Sequence, residues 1–469
     1  MARLPYPPAL PAAREPLPGG AGRLLRRLRP LAAWAAVGGL LVLAWNLKHP
    51  LMYWLRIWET PILLFAGLTG GGLALAGPPV APRRPLGRFI LGTALLAAAG
   101  CTIHRELAFL RDKAAVLAGG GEMESLGRHF IVGFTRFDEV ETLAEQDLIG
   151  GIYLTRRNLR GQSPAEVAQS ISRLQARRAA AGRPPLIVAA DQEGGPVSHL
   201  SPHLEALPPL ASLVDAASPL PLAERARRYG RRQGQGLAAL GVNLNFGPVV
   251  DLKPARPASA DDRLTRIASR AIAADPGVVA EVAAGYVAGL ADAGVGATLK
   301  HFPGLGQVRA DTHLRSASLA ADPADLAGDW LPFRRVGPAG GAAMMLGHVV
   351  LPALDPEHAA SHSRAVVHGL LRRQWRYDGL LVTDDLNMGA VYGLGIGRIA
   401  SEALAAGVDL VLVSYDPEQY YRALAGAARA LAAGTIAPAD LAASDRRLTA
   451  FHQRLYAPPP GGCGEAPGR

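Results

Sequence analysis

Two patterns of apolar positions divide the chain. Up to residue 103 they come as long uninterrupted runs, and from residue 129 onward as short β-branched runs alternating with Ala/Leu-rich stretches of helical period. Residues 30–47, 60–82 and 89–103 carry no charge. A bilayer core takes roughly 20 apolar residues, so the first two runs predict spanning helices. The third reaches that length if residues 85–87 extend it and Arg88 snorkels to the interface. Tyr53, Trp54 and Trp58 stand just ahead of the second run, where an interfacial aromatic belt belongs. A cleaved signal peptide, the alternative for the first run, needs a small-residue cleavage site, and none closes it.

The second pattern predicts repeated βα units over a parallel sheet. Candidate strands fall at residues 129–134, 151–154, 186–191, 242–251, 295–301, 342–349, 379–384 and 409–414. Eight units in this length suit an α/β fold of the (β/α)8 TIM-barrel type, which takes roughly 250 residues plus insertions. A doubly wound open sheet is the alternative, but no strand runs into a Gly-x-Gly-x-x-Gly helix entry. The expected organisation is a disordered basic N-terminus (1–29), a membrane region of two to three helices (30–103), and a linker (104–128) of one helix and the Gly119-Gly120-Gly121 break. The barrel (129–456) and a disordered Pro/Gly-rich tail (457–469) follow.

Charge sharpens this division. The net charge is +10, and residues 1–113 hold 14 Lys and Arg against four Asp and Glu, while residues 114–469 balance at 35 of each sign. All the basic excess therefore flanks apolar runs, the pattern of a topology signal and not of a groove that tracks nucleic-acid phosphates. The positive-inside rule puts the Arg23, Arg26, Arg27 and Arg29 cluster and the Arg83, Arg84 and Arg88 loop on the cytoplasmic side. Three spans then deliver the barrel to the opposite face of the membrane. With only two, the third run being a surface helix, the barrel stays cytoplasmic. The two cysteines, Cys101 and Cys463, exclude a disulfide framework or a thiolate zinc site.

Polar residues close the predicted strands at their C-terminal ends: Asp191, Asp251, Lys300 with His301, His348 and Asp384. In a barrel those ends share one mouth. Asp384 follows the apolar Leu380-Leu381-Val382, and a carboxylate at such a dry tip can act as a nucleophile on a sugar carbon; the plain alternative is a helix cap. Strand alternation turns Asp385 the other way. Asp311 and His313 lie two apart in a loop, where the carboxylate can fix one imidazole tautomer and leave the other nitrogen to exchange a proton. Asp191, Arg270, Lys300 and His301 supply donors and acceptors for a polyhydroxylated ligand. Gly304 and Gly306 lack the Lys-Ser/Thr of a phosphate loop, His358 and His362 are i,i+4 but Glu357 stands in the wrong position for a zinc-protease helix, and no Gly-x-Ser-x-Gly elbow occurs.

Lys300-His301-Phe302-Pro303-Gly304-Leu305-Gly306 with Asp311-Thr312-His313 resembles the signature of bacterial β-N-acetylglucosaminidases of glycoside hydrolase family 3. Asp191-Gln192-Glu193-Gly194-Gly195, the Asn245 to Leu252 block, Ser269-Arg270-Ala271 and Thr383 to Met388 resemble further blocks of that family in the same order. The resemblance covers about residues 125–455. It implies a retaining exo-hydrolase of terminal β-linked N-acetylglucosamine in cell-wall or envelope glycans, without metal or organic cofactor. It further implies Asp384 as nucleophile, His313 with Asp311 as acid/base dyad, and Asp191, Arg270, Lys300 and His301 as sugar ligands; His348, another strand-end group, is added to these as a fifth substrate-binding residue.

The chain departs from the family pattern at Pro196 and His199, where arginines are usual, and at Leu305, where a second histidine is usual. These changes remove positive charge from the aglycone side and put recognition of an acidic muramic partner in doubt. Two other readings stand beside the expected membrane-anchored enzyme of the inner membrane, with its barrel on the periplasmic or outer face. One is a β-glucosidase or β-glycoside phosphorylase, since a neutral histidine base does not repel phosphate. The other is a non-catalytic glycan sensor on a membrane anchor.

Overall fold

The computed structural model describes residues 20–76, 85–255 and 264–456. The expected disorder of residues 1–19 and of the tail 457–469, and the loop arginines Arg83 and Arg84, lie outside them. Two compact units divide the chain, one ending at Leu110 and the other beginning at Arg111.

The N-terminal unit is helical: Gly20–Trp45, a short 3-10 turn Pro50–Leu55, Arg56–Ala76, and Pro85–Ala118, whose last turns belong to the second unit. Residues 20–29, expected to be disordered, form the first helical turns, as their Leu- and Arg-rich composition favours. Pro50–Ala76 and Leu86–Ala118 are long and apolar enough to cross a membrane, whereas the apolar part of the first helix, Leu31–Trp45, is shorter.

The unit's polarity is inverted relative to a water-soluble bundle. Ile57, Trp58, Phe65 and Leu73 point outward, while charged groups turn inward. Lys48 pairs with Glu106 at 3.4 Å, Arg56 with Glu59 at 3.3 Å, and Thr60 Oγ1 donates to Glu106 at 2.9 Å. Small residues let the helices approach: a Cβ on Gly67 would lie 2.9 Å from Ala99 Cβ, and one on Gly71 2.8 Å from Leu96 Cγ.

The second unit is a parallel barrel. Its strands are β1 Phe130–Gly133, β2 Gly151–Leu154, β3 Ile187–Ala190, β4 Leu244–Asn245, β5 Gly296–Phe302, β6 Ala343–Leu346, β7 Leu381–Thr383 and β8 Val411–Val413. They run side by side in chain order, β8 pairs back onto β1, and a single bridge from Val382 to Leu410 joins β7 to β8. A helix follows each strand, from Asp138–Glu145 after β1 to Gln419–Ala432 after β8. All eight predicted strands are present, trimmed where sequence chemistry stops pairing. The run 242–251 pairs regularly only at Leu244–Asn245, because Pro248 lacks an N–H to donate. The run 342–349 splits, and Val349–Leu351 joins a separate three-stranded sheet with Ala317–Ser318 and Asp355–Ala359.

Both strand faces are dry, which is why the strands read as continuous apolar runs. Ile131, Ile187, Ala189, Leu244, Met345, Val382 and Leu412 fill the barrel, and Leu448 and Phe451 of the C-terminal helix Pro438–Tyr456 pack with them. Their neighbours Phe130, Val132, Val188, Met344, Leu381 and Val411 face the helices. This period-two alternation decides which residues at the strand ends face the mouth.

Candidate active site

Parity aims the first groups. Ile187 and Ala189 face the barrel interior, so Asp191 continues that face beyond β3; Val382 faces inward, so Asp384 does beyond β7. Leu299 faces the helices, so Lys300 turns inward. His301 would then turn away, but the pairing of β5 with β6 shifts register between Leu299 and Phe302, and this irregularity leaves His301 within electrostatic reach of Asp384.

Around Asp191 lies a closed set of charges. The Lys300 ammonium donates to Asp191 and sits 2.6 Å from Glu193 Oε1. Arg270 grips Glu193 through Nε at 3.0 Å and Nη2 at 2.7 Å, and gives Nη1 to the Thr265 carbonyl at 2.8 Å. Tyr153 donates its hydroxyl to Asp191 and stacks on Phe246. Burial alone would raise both carboxyls, but Lys300, His199 and the Tyr153 hydroxyl together outweigh it at Asp191, and Arg270 with Lys300 does so at Glu193, so both are held below their ordinary range. Burial likewise disfavours the Lys300 charge, and the two carboxylates more than restore it. A protonated, carboxylate-flanked lysine is a hydrogen-bond donor and not an amine nucleophile.

Asp251 supports this set from behind. It is buried, and accepts from His301 Nδ1 at 2.7 Å and from the backbone N–H groups of His301 at 3.1 Å and Leu305 at 2.7 Å. A carboxylate on Nδ1 leaves His301 Nε2 as the outward group. Leu305 is buried in the outer core, so the position where the family usually has histidine serves the loop through its backbone. His199, at another departing position, packs edge-on against Tyr153, and burial lowers its pKa.

The loop after β5 brings the predicted dyad to the same mouth. Asp311 accepts from the Leu264 N–H at 2.7 Å, the Thr265 hydroxyl at 2.9 Å and the His313 N–H at 3.0 Å, and lies 3.1 Å from His313 Nδ1. Burial raises the Asp311 pKa, and these hydrogen bonds reverse the shift. Asp311 is almost fully buried, whereas the His313 side chain is 40% exposed. The far side of the loop rests on the segment after Asp384: Gly389 N–H donates to the His313 carbonyl at 2.8 Å and Ala390 N–H to that of Thr312 at 3.2 Å. A Cβ on Gly389 would come within 2.5 Å of the Leu314 carbonyl oxygen.

Asp384 is faced by the imidazoles of His301, His348 and His313. Burial opposes its charge, but these neighbours and the Asp385 N–H at 2.8 Å keep the carboxyl below its ordinary range. Asp385 turns aside, as strand alternation predicts. Its carboxylate takes the N–H groups of Asn387, Ser414 and Tyr415 and the Ser414 hydroxyl, tying β7 to β8. His348 also sits at this mouth, yet both ring nitrogens are engaged. Nε2 donates to the Asp385 carbonyl at 3.0 Å, which leaves Nδ1 to accept from Ser361 at 2.8 Å. Ser361 in turn is 3.1 Å from His362 Nδ1, and His358 lies 3.1 Å from Asp355. Among the described residues no three metal-ligating side chains converge.

A carboxylate held ionised, a histidine–aspartate pair beside it and a set of polar side chains are groups that glycosidic-bond hydrolysis can use. The family model for the glycosyl hydrolase family 3 N-terminal domain matches residues 121–451. The chain belongs to glycoside hydrolase family 3. Among relatives of this family 3 chain, a Beta-hexosaminidase of Nitrosomonas eutropha is 34% identical over 292 residues, covering 61% of this chain and 80% of the relative. A Beta-hexosaminidase of Xanthomonas campestris pv. campestris is 39% identical over 280 residues, covering 58% and 78%. The family 3 β-N-acetylglucosaminidase of Paenibacillus sp. str. FPU-7 superposes with a TM-score of 0.65 at 34% identity, over 71% of this chain and 62% of that one. The β-N-acetylhexosaminidase of Beutenbergia cavernae gives 0.64 at 29% identity, over 71% and 99%.

The predicted residues Asp191, Arg270, Lys300, His301, Asp311, His313, His348 and Asp384 thus converge on one mouth of the family 3 barrel. The groups that hold them are Glu193, Asp251, Thr265, Tyr153 and Ser361, of which Asp251 stands among the predicted strand-end residues without an assigned role. Glu193 lies in the Asp191-to-Gly195 block and Asp251 closes a predicted strand, so both carry a signal in the sequence. Thr265, Tyr153 and Ser361 had none, since each acts through a contact distant in sequence.

Proposed function

We propose that this chain is a membrane-anchored retaining exo-β-N-acetylglucosaminidase. The observation that carries it is the Asp384 carboxylate at the tip of β7, faced by the Asp311–His313 pair. In this reading Asp384 attacks the anomeric carbon while His313, through Nε2–H, protonates the departing glycosidic oxygen as the C–O bond breaks. The product is a glycosyl ester on Asp384. Neutral His313 then takes a proton from water, the water oxygen attacks the same carbon, and Asp384 leaves as carboxylate, so two inversions retain configuration. Asp311 holds Nδ1–H throughout and stabilises the imidazolium formed in the second step. Asp191, Arg270, Lys300 and His301 bind the sugar hydroxyls, and Asp251 and His348 fix the surrounding backbone and rings.

The Beta-hexosaminidase relatives support the hydrolytic reading, and the β-N-acetylglucosaminidase of Paenibacillus and the β-N-acetylhexosaminidase of Beutenbergia cavernae support an N-acetylated substrate. Release of aryl alcohol from a chromogenic β-N-acetylglucosaminide, lost in Asp384→Ala, tests it against a non-catalytic sensor. Parallel assays with phosphate test the phosphorylase reading, because a sugar 1-phosphate product would replace hydrolysis.

Two helices of spanning length and the inverted polarity of the N-terminal unit support the anchor. The arginine distribution supports a barrel outside the inner membrane, acting on cell-wall or envelope glycans. A reporter fused after His104 that is active only when exported is the expected result; activity only in the cytoplasm would reverse the orientation.

A further inference from the structure

The dyad loop and the sugar-binding set come from different parts of the barrel, yet one residue touches both. Thr265 is buried. Its hydroxyl donates to Asp311 Oδ1 at 2.9 Å and lies 3.3 Å from His313 Nδ1, and its carbonyl accepts from Arg270 Nη1 at 2.8 Å. Arg270 is in turn clamped by Glu193, which also faces Lys300.

The hydroxyl constrains the proton on His313. A hydroxyl has one hydrogen, and here it goes to Asp311. The Thr265 oxygen therefore presents only lone pairs to Nδ1, and so does the Asp311 carboxylate. An Nδ1 without hydrogen would face two acceptors, whereas Nδ1–H satisfies both. Nε2, the nitrogen that a glycosidic oxygen must meet, then carries the exchangeable proton: it is bound in the imidazolium and given up to leave the neutral Nδ1–H ring.

We propose that Thr265 is a positioning residue for proton transfer, holding the Nδ1–H tautomer of His313 and tying the dyad to Arg270 in the sugar-binding set. This rests on the reading of His313 as general acid. Asp311 alone leaves Nδ1 one acceptor at 3.1 Å; with Thr265 the ring is held from two directions. The dyad loop is thereby fastened on both flanks, by Leu264 and Thr265 on one side and by Gly389 and Ala390 on the other. Only the Thr265 flank reaches the ring, because the Gly389 side grips backbone carbonyls.

The test separates proton donation from everything else in the site. The full chain and its Thr265→Val, Thr265→Ser and His313→Ala variants are assayed for kcat/KM on two aryl β-N-acetylglucosaminides. The phenyl glycoside leaves as a strong base that needs a proton. The 2,4-dinitrophenyl glycoside leaves without one, and kcat/KM reports only the steps up to that departure. Thr265→Val, nearly the same size, is expected to lower the phenyl value at least tenfold while changing the dinitrophenyl value less than threefold. His313→Ala should show the same selectivity more strongly, and Thr265→Ser should restore the phenyl value.

Equal losses on both substrates, or no loss on either, in Thr265→Val beside a selective His313→Ala would overturn the role of Thr265 and leave the dyad standing. A His313→Ala variant that loses both substrates equally overturns the acid reading and this inference together. Thermal midpoints of the variants identify a loss that comes from unfolding, which would strike both substrates alike.

Discussion

Glu193→Gln is the sharpest probe of the charged set around Asp191 that is proposed to bind the sugar. The side chain is 6% exposed and stands between Lys300 and Arg270, which are 3% and 8% exposed. Glutamine keeps the size but removes the charge, and turns an N–H2 toward one of two cations. Breaking a buried ion pair by removing one partner costs about 3–5 kcal/mol. Here the lower end applies, because Lys300 retains Asp191, Arg270 retains the Thr265 carbonyl, and the amide oxygen still accepts one bond. The expected loss of stability is about 3 kcal/mol near neutral pH, read from denaturant unfolding of the detergent-solubilised chain.

Since Glu193 titrates below its ordinary value of 4.5 when folded, its contribution is fully present above that value and fades as the pH falls through the folded pKa. Wild type and variant should therefore converge on acidification. Kinetically KM should rise more than kcat falls, as for lost ground-state binding. A loss below 1 kcal/mol with unchanged KM would refute the claim that Glu193 organises the cations.

Two further outcomes follow from the geometry. Gly389→Ala places a methyl within 2.5 Å of the Leu314 carbonyl, so the dyad loop must lift. An ångström of displacement at a reacting group costs on the order of 100-fold, and kcat/KM should fall by about that factor with little change in thermal midpoint; full activity would show that the loop is not docked there. His362 is buried beside His348, which lowers its pKa from 6.5 to about 3. The unfolded chain thus binds a proton that the folded chain refuses, and stability falls as the pH drops from 6.5 toward 3, by about 2 kcal/mol at pH 5 from this one group. His362→Asn should flatten the stability–pH curve between pH 6.5 and 5, and an unchanged slope would contradict the assignment.

Much of the barrel could be read from the chain because its strands are dry on both faces, leaving compact runs such as Leu380-Leu381-Val382 that end on a polar residue. Alternation then aims Asp191 and Asp384 correctly without knowledge of the fold. What alternation misses is irregularity: the register shift that keeps His301 at the mouth beside Lys300, and the interruption at Pro248 that shortens β4. His348 shows the limit of position as a guide, since it stands at the expected strand end while its ring serves Ser361 and the Asp385 carbonyl. Thr265 and Gly389 were illegible for a different reason. Their roles lie in contacts with Asp311 and Leu314, 46 and 75 residues away, and no local pattern encodes such a pairing. At the other end of the chain, residues 20–29 read as disordered from their neighbours' composition but carry enough Leu and Arg to extend the first helix.

The central claim is that Asp384 forms a covalent bond to the sugar. A 5-fluoro-β-N-acetylglucosaminyl fluoride, whose second step is slowed by the ring fluorine while fluoride departs without protonation, should trap that ester on the intact chain. Peptide mass spectrometry is expected to find one fluorosugar on the peptide spanning residues 380–388, attached at Asp384. Turnover of an ordinary N-acetylglucosaminide with no adduct from the probe, or an adduct on Asp385 or Asp191 instead, would contradict it.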